Sequence, residues 1–96
     1  MHLSSAMTLK IAKTFDGQRT TLRLSGRIQS ANVEDIREEM SGNAETIVLD
    51  LEEVTLVDVD VVRFLGTREG EGVELVNCSA YIRDWIFRER STEETD

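Results

Sequence analysis

Residues Thr46 to Leu65 read TIVLDLEEVTLVDVDVVRFL. The stretch opens on Ile47-Val48-Leu49, apolar on successive residues, as expected of an interior strand covered on both sides. It closes on Val57-Asp58-Val59-Asp60-Val61-Val62, which two periods fit. Valines alternating with aspartates suit a strand with its acids in water. Val61, Phe64 and Leu65 at helical spacing suit a helix instead, with Asp58 as N-cap and Asp60 in a first turn whose dipole favours an acid. A second apolar run, Val73-Glu74-Leu75-Val76, arbitrates between them. If it lies parallel to the first, the connection is a right-handed crossover that needs a helix, so the helical reading is preferred. Gly66 weakens that helix in its middle, and Gly70 and Gly72 end it.

Upstream, Thr8 to Phe15 has a strand pattern with Leu9, Ile11 and Phe15 on one face, and Asp16-Gly17 is a hairpin signal. A second strand spans about Thr20 to Leu24, where Leu22 and Leu24 alternate with Thr21 and Arg23. Ser25-Gly26 then breaks the strand. Asn32 is placed to cap a helix whose first turn holds Glu34 and Asp35 and whose buried face carries Val33, Ile36 and Met40. Glu34, Glu38 and Glu39 form its solvated face, and Ser41-Gly42-Asn43 ends it. Downstream, Ser79 can cap a last helix with Ile82, Trp85 and Ile86 inward. Residues 1–7 read as a disordered leader, 8–90 as one domain, and 91–96, STEETD, as a disordered acidic tail. The order is β-β-α-β-α-β-α: an α/β fold with a mixed sheet of four or slightly more strands and about three helices.

Composition narrows the function. A chain of 96 residues holds one core, and a net charge of -8 repels nucleic-acid phosphates and anionic membrane surfaces. Protein or small-molecule partners are favoured. The single cysteine, Cys78, forms no intrachain disulfide and has no Cys/His cluster for zinc, which fits a reducing, cytoplasmic setting. It reads as a small buried apolar group. No apolar run approaches bilayer-spanning length. His2 is the only imidazole, so histidine base catalysis is excluded.

Three pieces in register, LRLSGRIQSANVEDIREEM (22–40), IVLDLEEVTLVD (47–58) and VELVNCSAYIRDWI (73–86), resemble a STAS domain, the fold of bacterial anti-sigma-factor antagonists and of sulfate-transporter tails. The resemblance covers roughly residues 8–88. It implies a STAS-like α/β fold and a non-enzymatic module in a partner-switching pathway, bound by an anti-sigma factor or related kinase-type regulator. Antagonists of the family carry Asp-Ser-Ser-Gly or Asp-Ser-Thr-Gly, and the kinase phosphorylates the third residue. Here the residues are Asp58-Val59-Asp60-Val61: Asp58 matches, Asp60 stands at the phosphoacceptor position without a hydroxyl, and Val61 replaces the glycine. The resemblance therefore implies binding without phosphorylation at the usual site, through Asp58, Val59, Asp60 and Val61, extended by Ser30 and Asn32. Asp60 either supplies a permanent charge resembling a phosphorylated state or merely completes a first turn. The expected protein is a monomer or weak dimer that neither inserts in a membrane nor binds nucleic acid.

Two rivals stand beside this reading. One is a STAS subunit or ligand sensor of a transport or lipid-trafficking assembly, although the glycines lack phosphate-loop spacing and its lysine. The other is a magnesium-dependent phosphatase of the haloacid-dehalogenase type, with Asp58 as nucleophile and Asp60 as acid/base. That chemistry needs a downstream lysine, yet Lys10 and Lys13 both lie upstream. A magnesium site of Asp50, Asp58 and Asp60 fares little better. No catalytic residue, metal or cofactor is assigned.

Overall fold

A computed structural model describes residues 9–42 and 45–94. The expected leader, and Asn43 of the expected helix stop, lie outside the described residues. Strands β1 (Lys10–Phe15) and β2 (Arg19–Ile28) precede a 3₁₀ turn at Ser30–Asn32 and helix α1 (Val33–Met40). Strand β3 (Thr46–Val57), helix α2 (Val59–Gly70), strand β4 (Glu74–Val76) and helix α3 (Ala80–Glu94) follow. The four strands form one sheet in the order β1-β2-β3-β4. The β1–β2 pair is antiparallel, while β3 lies parallel to both β2 and β4. This is the mixed four-stranded sheet with three helices that the sequence pattern predicts.

The hairpin follows from its turn chemistry. Asp16 Oδ1 accepts from the amides of Gln18 at 3.2 Å and Arg19 at 2.9 Å, and these two backbone hydrogen bonds, Arg19 first, lower the Asp16 pKa. Gly17 has φ of +99°, open to glycine at no steric cost.

Topology then decides where the helices go. Both crossovers, β2-α1-β3 and β3-α2-β4, step across the sheet in the same direction, so the right-handed rule puts both helices on one face. The core agrees. Leu22, Leu24, Leu49 and Leu51 on the sheet join Ile36 of α1, Val61, Val62, Phe64 and Leu65 of α2, and Ile82 and Ile86 of α3 in one continuous cluster. Fully burying each such aliphatic side chain contributes roughly 1.5–3 kcal/mol.

Several sequence expectations are corrected. Ser25-Gly26 does not break β2; the strand runs to Ile28 and absorbs the irregularity in register shifts against β3 at 23/25 and 26/27. Strand β3 is far longer than Ile47–Leu49, because β2 continues to pair with it as far as Val57. Helices cover it on one face only. Val48, though buried, stands outside the continuous core. The strand-or-helix ambiguity at 57–62 resolves inside the block: Val57 ends β3, Asp58 is the N-cap, and Val59 begins α2. Helix α3 continues through Glu94, so residues 91–94 of the expected tail are helical.

Gly66 is less a weak point than an aperture. A Cβ there would stand 3.3 Å from Ile86 Cγ2 and 3.5 Å from two Arg90 side-chain carbons, so the missing side chain lets α3 approach α2 closely. Across that seam Glu69 accepts from Arg83 at 2.9 Å, and Arg63 pairs with Glu89 at 3.1 Å. We expect Gly66→Leu to destabilise the fold by roughly 1–3 kcal/mol through overpacking. In a thermal melt this lowers the midpoint by several degrees, about 4–8 °C per kcal/mol for a domain of this size.

Candidate functional site

Strand β3 ends and α2 begins at Asp58, whose extended backbone (φ -114°, ψ -179°) is that of an N-cap. Its two carboxylate oxygens have separate tasks. Oδ1 accepts from the Val61 amide at 3.1 Å, capping α2; Oδ2 accepts from the Ser30 amide at 2.9 Å, 28 residues away. One side chain therefore ties the 3₁₀ turn before α1 to the start of α2, and the two segments that the sequence singled out form one corner.

Within the corner the residues divide. Ser30 and Asp60 are exposed, and Val59 is 36 % exposed. Val61 is fully buried. It is therefore withdrawn as a contact residue: its side chain is aimed into the core, and its amide is held by Asp58. Asn32 is not the cap of α1 that its position suggested. It adopts a helical conformation with no capping hydrogen bond to α1, and its Oδ1 accepts from the Gln29 amide at 2.8 Å, closing the turn on itself. Asp60 makes no ion pair among the described residues and sits in the first turn of α2.

Leu56, which sequence reasoning passed over, is 49 % exposed just before Asp58. The signal was its alternation with Val57 and Val54, which is legible only if β3 is read past Leu49. Beside the corner, α1 and α2 leave a shallow groove lined by Ser30, Val33, Asp60 and Phe64, among others. The guanidinium groups of Arg37 and Arg68 lie 5.6 and 5.4 Å from the centre of the Phe64 ring, a favourable cation–π arrangement.

The acid-cluster readings find no support in this geometry. Both Asp58 oxygens are occupied by amides. Asp50 is held by Asn77 Nδ2 and the Glu52 amide, each at 3.0 Å, and by Arg23 at 3.8 Å. Among the described residues no group of three or more His, Cys, Asp or Glu side chains is arranged to hold a metal ion. Cys78 is half-buried, and burial pushes its thiol pKa up despite the Arg83 guanidinium nearby. It is a thiol rather than a reactive thiolate at neutral pH. No helix among the described residues is long and apolar enough to cross a membrane.

Comparison with known proteins agrees with this architecture. Residues 11–84 match the family model described as Mlab, STAS domain, and the chain belongs to the STAS family. Its fold is that of the anti-sigma-factor antagonists. The STAS domain of an antisigma-factor antagonist from Rhodobacter sphaeroides superposes with a TM-score of 0.60 at 19% identity, covering 76% of this chain and 89% of that one. The anti-sigma factor antagonist SpoIIAA in its unphosphorylated form superposes with a TM-score of 0.63 at 21% identity, covering 84% and 79%. No curated protein matches the chain.

Two outcomes follow. Asp58→Ala removes the cap and the tie to Ser30, so stability falls by about 1–2 kcal/mol. Amide hydrogen exchange at Ser30 and Val61 accelerates at the same time, whereas Asp60→Ala stays within about 0.5 kcal/mol of the parent. Adding millimolar magnesium or calcium leaves the melting temperature unchanged; a rise would revive the acid-cluster readings.

Proposed function

We propose that this chain is a non-enzymatic protein-binding module of the anti-sigma-factor-antagonist kind, working in the cytoplasm within a partner-switching pathway. Its docking surface is the corner formed by Ser30, Asp58, Val59 and Asp60. The observation that carries the reading is the Asp58 clamp. It fixes the 3₁₀ turn against the start of α2 and leaves charged Asp60 and apolar Val59 facing solvent at a rigid corner. An exposed apolar anchor within a polar rim is the usual anatomy of a protein contact. The partner in this reading is an anti-sigma factor or related kinase-type regulator.

Asp60 sets the form of control. A phosphoryl group at this position would add roughly two negative charges beside the free amides of α2. Asp60 carries one charge and offers no hydroxyl to phosphorylate. Docking is then governed by the abundance of the partner rather than by modification at this site.

A second reading, a STAS subunit of a transport or lipid-trafficking assembly, draws on the same fact. A chain without a phosphoacceptor suits a constitutive subunit as well as a switch. One experiment separates the two. The wild-type chain and its Asp60→Arg variant are immobilised and used to capture proteins from lysate of the source organism. The first reading expects a kinase-type regulator to be retained by the wild type and lost by the variant. It also expects Asp60→Ser to become phosphorylated when that regulator and ATP are supplied. Retention of transporter or lipid-trafficking components alone would establish the second reading in its place.

A further inference from the structure

All three helices contribute to the core on one side of the sheet, so the other side has no described layer over it. We infer that this face is where a second copy of the chain packs, face to face, about a two-fold axis that lies between the two sheets, parallel to their strands. Parallel strands are rarely left bare on one face, and β2, β3 and β4 are mutually parallel here. The register places Ala12, Thr14, Thr21, Val48 and Val76 across the middle of the bare face. These side chains are small or apolar, and a shallow hollow lies over Ala12, Thr14 and Thr21. A flat layer of this kind is suited to aligned sheet packing.

The distribution of charge selects the occupant. On this face the cations Lys10, Arg19, Arg23 and Arg27 stand on β1 and β2, while the acids Asp50, Glu53 and Glu74 stand on β3 and β4. Arg23 and Asp50 pair within the chain at 3.8 Å. Lys10, Arg19 and Glu74 make no ion pair among the described residues, and Glu53 accepts only a hydrogen bond from Ser25 Oγ at 3.1 Å. One half of the face is therefore positive and the other negative. A two-fold axis through its centre lays the positive half of each copy on the negative half of the other, as an isologous contact requires.

A face of about 20 by 20 Å, from strand spacing and rise per residue, amounts to roughly 400 Å² per copy. That lies below the standard interface size, so the dimer is weak and reversible. The corner at Asp58 and Asp60 belongs to the helical side and stays free, and the dimer displays two such corners, a gain for any bivalent partner.

Sedimentation velocity on the full chain from about 10 μM to 1 mM, spanning the range of a weak interface, tests the assignment. The wild type shows a concentration-dependent monomer–dimer equilibrium. Lys10→Glu with Arg19→Glu in one chain, and Glu74→Lys in another, each weaken self-association about tenfold or more, because like charges then face each other twice. Mixed in equal amounts, the two variants associate again, since the reversed charges of one then oppose those of the other. Thr21→Arg, on the inner strand β2 at the middle of the face, abolishes the dimer without touching the charge pairs, and circular dichroism checks that each variant is folded. A wild type that stays monomeric throughout would overturn the inference. So would variants that dimerise as the wild type does, or a mixture that fails to associate.

Discussion

The position of β3 between two parallel neighbours is the constraint on which the rest of this structure depends. Parallel strands cannot be joined by tight turns, so each step across the sheet requires a crossover, and each crossover here contains a helix. Because both steps go the same way, their common handedness stacks the helices on a single face. The core, the α2–α3 seam and the position of the candidate corner all follow. The corner lies where β3 hands over to α2, next to the place where β2 hands over to the turn before α1. Parallel neighbours end at the same side of the sheet, and this brings Ser30 within 2.9 Å of Asp58.

Asp58 turns that proximity into a rigid feature. A carboxylate has acceptor capacity to spare beyond one capping bond, and here the second oxygen is spent on another segment's amide. This division of labour explains why the aspartate is a poor candidate for chemistry. A nucleophile or metal ligand must be able to turn toward the reacting group, and both oxygens of Asp58 are held in place by backbone amides. Asp60, two residues on, has the opposite environment: it is solvent-facing, without an ion pair among the described residues, and on the positive end of the α2 dipole. The pair that looks catalytic on paper consists of one residue bonded to two backbone segments and one that faces solvent.

The asymmetry of the sheet matters as much as its order. One face is committed to the helices and is apolar. The other presents small side chains between a basic half and an acidic half, an arrangement that is directional in space. Net charge of -8 would set copies of the chain against one another at long range. The local pattern works against that repulsion at contact distance, where pairing outweighs the mean field.

Most of the fold was legible in the sequence because it rests on local signals. Asp16-Gly17 marks the hairpin, Ser79 the start of α3, Gly70 and Gly72 the end of α2, and the apolar runs mark the strands. Where the reading failed, a non-local partner had overridden the local signal. Ser25-Gly26 looked like a break, and β3 keeps it in the sheet; Asn32 looked like a cap, and its side chain turned back to Gln29; Val61 looked like surface, and the core took it. Residue types and spacing by themselves determined the elements and their order, since turn propensity, periodicity and capping act within a few residues. Only the tertiary structure decided that Ser30 and Asp58 meet, that Gly66 admits α3, and that one face of the sheet is left open. Each of these depends on groups brought together across 20 or more residues by strand pairing and helix packing, and no local pattern encodes that.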